Sequence, residues 1–295
     1  MWLANEWKDY KLLDSANGEK LEYWGNILLS RPDPQAIWSE KINPNMWKKA
    51  DAKYLRSNTG GGRWQFNNKN MPEKWTVNYK DLTFNIKPMG FKHTGLFPEQ
   101  AVNWDWFSHL IKKANRPIRV LNLFAYTGGA TVAALLAGAE VVHVDASKGM
   151  VTWAKENVVS SGLSDKFVRF IVDDVKKFVQ REFRRGRKYD AIIMDPPSYG
   201  RGPGGEVWRI EDELYPLILD CMQIMSDEPL FFLINSYTTG LSQTVLSNVL
   251  KLTMQKKYGG KISADEIGLP IASGDLILPC GISGRWESNI SGKEA

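Results

Sequence analysis

Two hydrophobic patterns divide the chain near residue 90. The first 90 residues contain short aromatic and β-branched runs separated by turn-forming residues, which is typical of pleated strands. The runs are 20–30, 62–66, 74–80 and 82–89, and the sequences RPDPQ and NTGGGR supply turns. Because no long amphipathic helix is evident in this part, we predict a small β-rich domain over residues 1–90.

Short apolar runs alternate with longer amphipathic stretches from about residue 101 onward. The apolar runs are 118–125, 140–146, 168–174, 189–195 and 229–235, and the predicted helices are 98–114, 129–138, 148–161, 174–185, 211–225 and 241–257. Such alternation is typical of buried parallel strands joined by crossover helices. We predict an α/β fold over residues 91–295, with a doubly wound, mostly parallel, seven-stranded Rossmann-like sheet. Residues 274–286 are predicted to form its closing edge strand.

Glycines and carboxylates follow these strands, at the sheet edge where ligands bind in folds of this type. Thr127, Gly128 and Gly129 form a tight turn after the first strand. Their spacing differs from G-x-G-x-x-G, so a pyrophosphate site has little support. Asp145 ends the second strand, where its carboxylate can accept the two hydroxyls of a ribose. Alternatively, Asp145 or Ser147 caps the helix that follows.

The third strand ends in another pair of acids. Asp173 or Asp174 can accept hydrogen bonds from the exocyclic amine of an adenine. Taken with the glycine turn and Asp145, these acids indicate a nucleoside that is bound without phosphate contacts. S-adenosylmethionine, which carries adenosine, a sulfonium and an amino-acid tail but no phosphate, fits this description.

The fourth strand runs into Asp195-Pro196-Pro197, followed by Tyr199 and the glycine-rich segment 200–212. Two successive prolines fix φ and remove two N–H donors, so the carbonyls of Asp195 and Pro196 can be held outward as acceptors. They could orient an amine or a base edge, while Tyr199 stacks on a base removed from its helix. The glycine-rich segment could then close over the site. The alternative is that the prolines only end the strand.

The segments IRVLNLFAYTGGATVAALLAGAEVVHVDASKGMVTWAKENVVSSGL, VDDV and MDPPSY resemble class I S-adenosylmethionine-dependent methyltransferases. More narrowly, they resemble the bacterial 23S ribosomal RNA methyltransferase group, in which the turn reads N-x-F-x-Y-T-G and the second strand ends V-D-x-S. FKHTGLFPEQ at 91–100 is similar to that group's K-T-G-x-x-x-D-Q, with Pro98-Glu99 where the group usually has Leu-Asp. The resemblance covers roughly residues 85–240, and the first 84 residues match only loosely.

The resemblance implies that S-adenosylmethionine is the cofactor. The cofactor-binding residues it implies are Thr94, Gly95, Leu96, Phe97, Gln100, Phe124, Tyr126, Thr127, Gly128, Asp145, Ala146, Ser147, Asp173, Asp174, Val175 and Asp195. The predicted catalytic residues are Asp195, Pro196, Pro197 and Tyr199. Since methyl transfer is a direct displacement, holding two reactants in line supplies much of the rate.

The charge of the chain favours a polyanionic partner. The net charge is +5, the pI is near 9.0, and 12 tryptophans and 10 tyrosines offer surfaces on which bases could stack. The basic runs 181–188 and 46–56 are either solvated faces or phosphate contacts. With the family resemblance, these features predict structured RNA, specifically ribosomal RNA, as the partner.

Compartment and metal content follow from what the sequence lacks. No apolar run approaches the roughly 20 residues of a membrane span, and the start shows no secretory signal. Two cysteines and three scattered histidines give no metal-ligand spacing. We therefore predict a cytoplasmic protein with neither metal nor membrane partner.

The methylated atom is predicted from the cysteines. Methylation at cytosine C5 needs a thiolate that attacks the ring, and in the C5 enzymes of the resembled group that cysteine follows the fifth strand. Here LINSYTTG places Tyr237 after Ser236, whereas Cys221 lies in a predicted helix and Cys280 near the C-terminus. We predict a base nitrogen as the acceptor, with Asn235 and Tyr237 orienting the substrate. Asn235 could instead only satisfy backbone groups at the strand end.

Three other functions remain open at this level. The chain could methylate a small molecule or a protein, with the β-rich domain only roofing the pocket. It could be a non-catalytic RNA-binding protein that keeps a degenerate pocket. A nucleotide-dependent oxidoreductase is disfavoured because G-x-G-x-x-G is missing and Asp-Pro-Pro follows the fourth strand. The sequence does not indicate the oligomeric state.

Overall fold

The computed structural model describes residues 1–57, 61–201, 207–272 and 274–289. The chain divides into two compact units, Met1–Val102 with Ile267–Cys280 and Asn103–Glu266 with Gly281–Ala295. The sequence pattern placed the boundary at residues 90 and 91 and assigned the whole C-terminal part to the second domain. The units divide differently because two long C-terminal strands each run from one unit into the other.

The first unit is rich in antiparallel strands. Its elements are β1 (Trp2–Leu3), β2 (Tyr10–Ala16), β3 (Glu19–Trp24), β4 (Ile27–Pro32), α1 (Pro44–Trp47), β5 (Ala52–Arg56), β6 (Gly62–Phe66), β7 (Trp75–Tyr79), β8 (Leu82–Ile86) and a 3₁₀ turn (Pro98–Gln100). Strands β2 to β6 form a five-stranded sheet in chain order, and β7 pairs with β8. Asn17 and Gly18, at φ of 54° and 70°, form the tight β2–β3 turn, whose positive dihedrals match the twist of a hairpin.

A buried ion pair holds the strands of the first unit together. The Glu22 carboxylate is fully buried and accepts hydrogen bonds from Arg31 Nε at 2.7 Å, Arg31 Nη2 at 3.0 Å and Tyr10 Oη at 2.6 Å. Lys20 Nζ lies 3.5 Å from the same carboxylate. Burial by itself would raise the pKa of Glu22, but the charges of Arg31 and Lys20 outweigh it and lower the pKa to about 2.

The second unit is an α/β sandwich. Its elements are α2 (Ala101–Lys113), β9 (Arg119–Leu123), α3 (Gly129–Leu136), β10 (Glu140–Asp145), α4 (Lys148–Ser160), β11 (Val168–Val172), α5 (Val175–Arg184), β12 (Ala191–Met194), β13 (Tyr199–Arg201), β14 (Val207–Arg209), α6 (Ile210–Gln223), β15 (Phe231–Ser236), α7 (Gln243–Leu250), a π-helical turn (Lys251–Gln255), α8 (Lys256–Tyr258), β16 (Lys261–Pro270) and β17 (Ile277–Glu287). Helix α2 begins two residues before the unit does. The outer ends of β16 and β17 belong to the first unit, where β1 pairs with β16.

The main sheet has eight strands in the described residues, in the order β1-β16-β17-β15-β12-β9-β10-β11. Strands β9, β10, β11, β12 and β15 are mutually parallel, and β17 runs antiparallel to β15. One face packs an apolar core against α5, α6 and α7, for example Phe178, Leu217 and Leu246. Ring contacts of Phe231 with Trp106 and Phe107 place α2 on the other face. Helices therefore cover both faces, and the predicted doubly wound α/β fold is confirmed.

The observed helices differ from the predicted ones by only a few residues at each end. One strand prediction was wrong, because 274–286 does not form an edge. Strand β17 lies between β15 and β16, and its partner KISADEIGLP at 261–270 was not recognised as a strand in the sequence. The fully buried residues of β16 are confined to its second half, and Lys261, Asp265 and Glu266 interrupt its apolar positions, so its pattern is weak. Within the described residues, no helix has the length and apolarity needed to cross a membrane.

We predict that Glu22→Gln lowers the stability of the first unit at neutral pH by about 3 kcal/mol, because Arg31 is left buried without its counter-charge. The stability difference between Glu22→Gln and the wild type should become smaller as the pH is lowered. The pKa of Glu22 is depressed in the folded state, so its contribution is complete above the unfolded value near 4.5 and disappears as pH falls toward 2. Urea unfolding followed by tryptophan fluorescence between pH 7 and pH 3 measures this, since Trp24 lies beside Arg31.

Glu19→Gln is the matched control. Its partner Lys53 is 36% exposed, and a pair of this kind contributes less than about 1 kcal/mol. Equal losses for the two variants, or a Glu22→Gln loss that is independent of pH, would contradict the assignment.

Candidate active site

The strand order brings the turn after β9 between two acids. Strand β9 pairs with β10 on one side and β12 on the other, and Leu123 is opposite both Val144 and Met194. Asp145 and Asp195 therefore stand at the same edge as the turn 124–128, one on each side of it. Among the residues that the sequence predicted for the cofactor, the turn 124–128, Asp145 and Asp195 lie at the carboxyl ends of neighbouring strands, where ligands bind in a doubly wound sheet.

The turn after β9 has an unusual backbone. Phe124 and Tyr126 have φ of 54° and 50°, which is uncommon for residues with a Cβ, and Gly128 follows at 81°. Hydrogen bonds from outside the turn hold it, among them Ala125 N to Val144 O at 3.0 Å. Tyr126 N donates to Asp145 Oδ2 at 2.8 Å, and Asn157 Nδ2 of α4 donates to Thr127 O at 2.8 Å. Strained dihedrals of this kind persist only where neighbouring contacts enforce them.

Gly128 leaves no room for a side chain. A Cβ at this position would lie 2.9 Å from Ala154 Cβ and 3.5 Å from His143 Cε1. The turn therefore packs directly against α4 through a glycine and an alanine. Its backbone can approach a ligand closely for the same reason.

Asp145 binds the backbone on both sides of the site. Its Oδ2 accepts from Tyr126 N and its Oδ1 accepts from Ser147 N, each at 2.8 Å. Burial raises the pKa of Asp145, and these two N–H groups act in the opposite direction. Each carboxylate oxygen has a further lone pair with which it could accept a ribose hydroxyl. The capping role falls to Ser147, whose Oγ accepts from Met150 N.

The acids after β11 have structural partners. Asp174 caps α5 by accepting from Lys177 N at 2.9 Å. Asp173 accepts from Asp174 N at 2.9 Å and pairs with Arg181 at 2.6 Å, while its own N–H donates to Asp145 O at 3.2 Å. Val175 is 4% exposed and packs in the core. Adenine recognition by Asp173, Asp174 or Val175, and cofactor contact by the exposed Ala146, remain predictions.

The Asp195-Pro196-Pro197 segment is fixed by an indole. Trp208 Nε1 donates to Pro197 O at 2.6 Å, and the same ring lies 5.3 Å from the ring of Phe124. The carbonyl of Pro196 makes no hydrogen bond within the described part of the chain. Trp208 therefore contacts both the Asp195-Pro196-Pro197 segment and the predicted cofactor turn, residues 124–128. The Pro196 carbonyl remains available as an acceptor.

Tyr199 lies at the start of a small hairpin. Strands β13 and β14 pair antiparallel, with Tyr199 opposite Arg209, and the Tyr199 ring is 51% exposed. Residues 202–206 of the glycine-rich segment, which the sequence predicted to close over the site, lie outside the described residues. Ser198 Oγ is 2.6 Å from Thr238 Oγ1, which ties this loop to the segment after β15.

The two predicted substrate-orienting residues differ in exposure. Asn235 is 3% exposed, and its Oδ1 accepts from Asn103 Nδ2 at 3.0 Å and from Ser283 Oγ at 2.7 Å. Tyr237 is half-buried and lies against Gly281, where a Cβ would meet the Tyr237 ring at 2.9 Å. Asn235 is therefore buried within β15, whereas Tyr237 follows the last residue of that strand and is partly exposed.

The predicted residues of the 94–100 segment belong to the first unit. Thr94 is fully buried, and its Oγ1 has no hydrogen-bond partner in the described residues. Gly95 has a φ of 98°, and Leu96 and Gln100 are buried while Phe97 stacks near His93. Their contact with the cofactor stays a prediction.

Neither cysteine can act as a nucleophile in this state. Burial raises the pKa of both the Cys221 and the Cys280 thiol, so neither forms a thiolate readily. Cys221 lies in α6, and Cys280 lies in β17 and belongs to the first unit. Among the described residues, no group of three or more acids, histidines and cysteines could hold a metal ion.

Comparison with known proteins identifies the family. The model of the S-adenosylmethionine-dependent methyltransferase family matches residues 59–212. The chain belongs to this family. The protein is therefore a methyltransferase that uses S-adenosylmethionine.

Two solved structures resemble this methyltransferase over nearly its whole length. An S-adenosylmethionine-dependent methyltransferase from Agrobacterium tumefaciens is 38% identical, with a TM-score of 0.89 over 95% of this chain and 91% of that one. A protein from Streptococcus mutans, described as a candidate methyltransferase of the same type, shares the fold at 18% identity, with a TM-score of 0.73 over 96% and 76% of the two chains.

A curated relative matches a shorter region. The ribosomal RNA large subunit methyltransferase K/L of Shewanella baltica is 33% identical over 172 residues, which is 58% of this methyltransferase. This methyltransferase spans 22% of the length of that relative.

Sequence reasoning missed several residues that shape the site. Trp208, Asn157 and Ala154 act on the backbone of loops that lie far away in sequence. A tryptophan after a glycine-rich segment was a visible signal for Trp208. The other two look like ordinary residues of an amphipathic helix, and only the packing of α4 against the turn reveals them.

We predict that Asp145→Asn weakens S-adenosylmethionine binding on the order of 10- to 100-fold, because either amide orientation sets an NH₂ against a backbone N–H and removes an acceptor. Calorimetric titration measures this directly. Since the pKa of Asp145 is raised, wild-type affinity should also fall toward acidic pH, whereas the variant should not respond. Asp165→Asn, at an acid outside the site, is the control, and equal affinities for Asp145→Asn and wild type would refute the assignment.

We predict that Gly128→Ala costs more stability than Gly162→Ala. Both glycines have positive φ, of 81° and 68°, so both variants carry the left-handed strain of about 1–2 kcal/mol. Only Gly128 is crowded, by Ala154, and only its variant should also weaken cofactor binding. Ala154→Gly should restore part of both losses in the Gly128→Ala protein. Identical unfolding free energies for the two variants would contradict the crowding.

Proposed function

We propose that the protein methylates a base nitrogen of ribosomal RNA in the cytoplasm. The single observation that carries this proposal is the rigid end of β12, where the Pro196 carbonyl is an unpaired acceptor beside the cofactor turn. A fixed carbonyl can orient an amine or a ring N–H by accepting its hydrogen bond. A base nitrogen then needs no covalent intermediate, because its own lone pair attacks the methyl group.

The chemistry needs few groups from the chain. Bound S-adenosylmethionine supplies a methyl group that the sulfonium has already activated. The residues of the site have to place the acceptor nitrogen in line with it, exclude water and take up the proton that is released. Asp195 stands at the end of β12 as the nearest predicted acid, and Tyr199 offers an exposed ring on which a base could stack.

Two further observations favour RNA over a small molecule. The protein carries a net charge of +5, and the Shewanella relative is named for the ribosomal RNA that it methylates. Within the basic run 181–188, Arg181, Arg185 and Lys188 have partners inside the chain. The side chains of Arg184 and Arg187 are exposed and have no partner among the described residues, so they are the candidates for phosphate contact.

The buried thiols favour nitrogen over carbon. Cytosine C5 becomes nucleophilic only after a thiolate adds to the ring, and burial keeps Cys221 and Cys280 protonated. The position after β15 that would present such a thiol is occupied by Tyr237.

We predict that Asp195→Ala lowers kcat on the order of 100-fold or more while S-adenosylmethionine affinity changes little, because the loss falls on the positioning of the reacting groups. The assay uses total RNA from a strain that lacks the protein, isotope-labelled S-adenosylmethionine and mass spectrometry of the digested nucleosides. An N-methylated nucleoside is the expected product.

Cys221→Ala serves as the control and should retain the wild-type rate. A C5-methylated pyrimidine, or a rate that depends on either cysteine, would refute nitrogen methylation. Label that appears only in protein or in small molecules would refute RNA as the substrate.

A further inference from the structure

A buried row of polar side chains lies in the second unit behind the end of β15. Asn103, Asn235, Ser283 and Arg285 are each less than a tenth exposed. Arg285 Nε and Nη2 donate to Asn103 Oδ1 at 2.9 and 2.6 Å. Asn103 Nδ2 donates to Asn235 Oδ1 and to Ser283 Oγ, both at 3.0 Å, and Ser283 Oγ donates to Asn235 Oδ1 at 2.7 Å.

The guanidinium sets the direction of the hydrogen bonds in this row. The oxygen and nitrogen of an amide have nearly the same size, so shape alone does not choose the orientation of Asn103 or Asn235. Arg285 can only donate, and it therefore requires the oxygen of Asn103. Asn103 then turns its NH₂ group toward Asn235. Asn235 therefore accepts this hydrogen bond with its Oδ1, and its own NH₂ group is directed away from the row.

Arg285 is held as a cation in this environment. Its guanidinium carbon lies 5.0 Å from the centre of the Trp106 ring, and Trp106 Nε1 donates to Glu287 Oε2 at 3.0 Å. Burial lowers the pKa of Arg285 to about 9, and the charge of Glu287 opposes this, so the side chain is still protonated near neutral pH. The donor character of the row is therefore maintained under ordinary conditions.

Asn235, the last residue of the row, lies at the carboxyl end of β15, at the same edge of the sheet as Asp195. The last residue pair between β12 and β15 is Met194 with Ile234, so Asp195 and Asn235 follow on neighbouring strands. Within the part of the chain that the structure describes, Asn235 Nδ2 makes no hydrogen bond. A donor of fixed polarity thus belongs to the residue of β15 that is the neighbour in register of Asp195, the first residue of the Asp-Pro-Pro segment.

We propose that Asn235 Nδ2 donates a hydrogen bond to an acceptor atom of the methylated base, a ring nitrogen or a carbonyl oxygen. Asn103 and Arg285 are positioning residues that hold Asn235 in the orientation required. This inference rests on the proposed function and adds to it the polarity of the base edge that the site selects. The site pairs an acceptor at Pro196 with a donor at Asn235.

The sharpest test is Asn103→Asp. An aspartate keeps a partner for Arg285 but has only acceptors, so Asn235 has to rotate by half a turn and present its oxygen to the substrate. We expect kcat/KM for methylation of total RNA from the deletion strain to fall on the order of 10- to 100-fold. The affinity for S-adenosylmethionine and the urea unfolding midpoint should stay close to the wild-type values.

A double-mutant cycle separates positioning from a general structural effect. If Asn103 acts through Asn235, then Asn103→Asp costs nothing further in an Asn235→Ala protein. Ser283→Ala is the matched control, because it removes one donor to Asn235 Oδ1 but leaves Asn103 Nδ2 to hold the orientation. Its kcat/KM should fall by less than about threefold.

Each result decides between the alternatives. An unchanged kcat/KM in Asn103→Asp, or equal losses in the presence and absence of the Asn235 side chain, overturns the inference and leaves RNA methylation standing. A loss of cofactor affinity that parallels the loss of rate shows a structural role and also overturns it. A wild-type protein that binds S-adenosylmethionine but methylates no RNA overturns the proposed function and this inference with it.

Discussion

The contact between Asp145 and two backbone N–H groups is the constraint on which the cofactor turn depends. Phe124 and Tyr126 adopt dihedrals that cost about 1–2 kcal/mol each for residues with a Cβ, so the turn would relax without an external tie. Asp145 supplies that tie through Tyr126 N, and through Ser147 N it also sets the start of α4. Because both contacts use one lone pair of each oxygen, the same carboxylate that builds the turn can still accept hydrogen bonds from a ligand.

The two faces of the main sheet differ in a way that follows from this arrangement. The face toward α5, α6 and α7 is an apolar core. The opposite face buries polar side chains, since Asn122 donates to Thr131, Thr131 contacts His143 Nδ1, and Asn103 contacts Asn235. Buried polar groups cost free energy unless they are paired, and they fix one arrangement when they are. The apolar face supplies stability, and the polar face specifies where the strand ends and loops stand.

Periodicity and motif spacing were sufficient for the α/β fold, for the alternation of helices and parallel strands from α2 to β12, and for the strand ends at Gly128, Asp145 and Asp195. They were sufficient because each depends on residues close together in sequence. The position of β17 was not predictable in this way, since charged residues interrupt the apolar positions of its neighbour β16 and only the second half of β16 is fully buried. The contacts of Asn157 with Thr127, of Trp208 with Phe124 and of Arg285 with Asn103 were also missed. Each joins residues distant in sequence, and no local pattern encodes such a pair.

The indole of Trp208 connects the Asp-Pro-Pro segment to the predicted cofactor turn, residues 124–128. Proline removes the backbone donors of residues 196 and 197, so the segment cannot be fixed by ordinary strand pairing. A side-chain donor has to replace those bonds, and Trp208 does so at Pro197 O while its ring rests on Phe124. Phe124 is itself one of the strained residues that Asp145 stabilises through the turn. A displacement of this turn would therefore reach the Asp-Pro-Pro segment through the ring contact as well as through the paired ends of β9 and β12. Direct displacement between two bound reactants requires this kind of rigid link, because its rate depends on the distance and alignment of groups that are held by different strands.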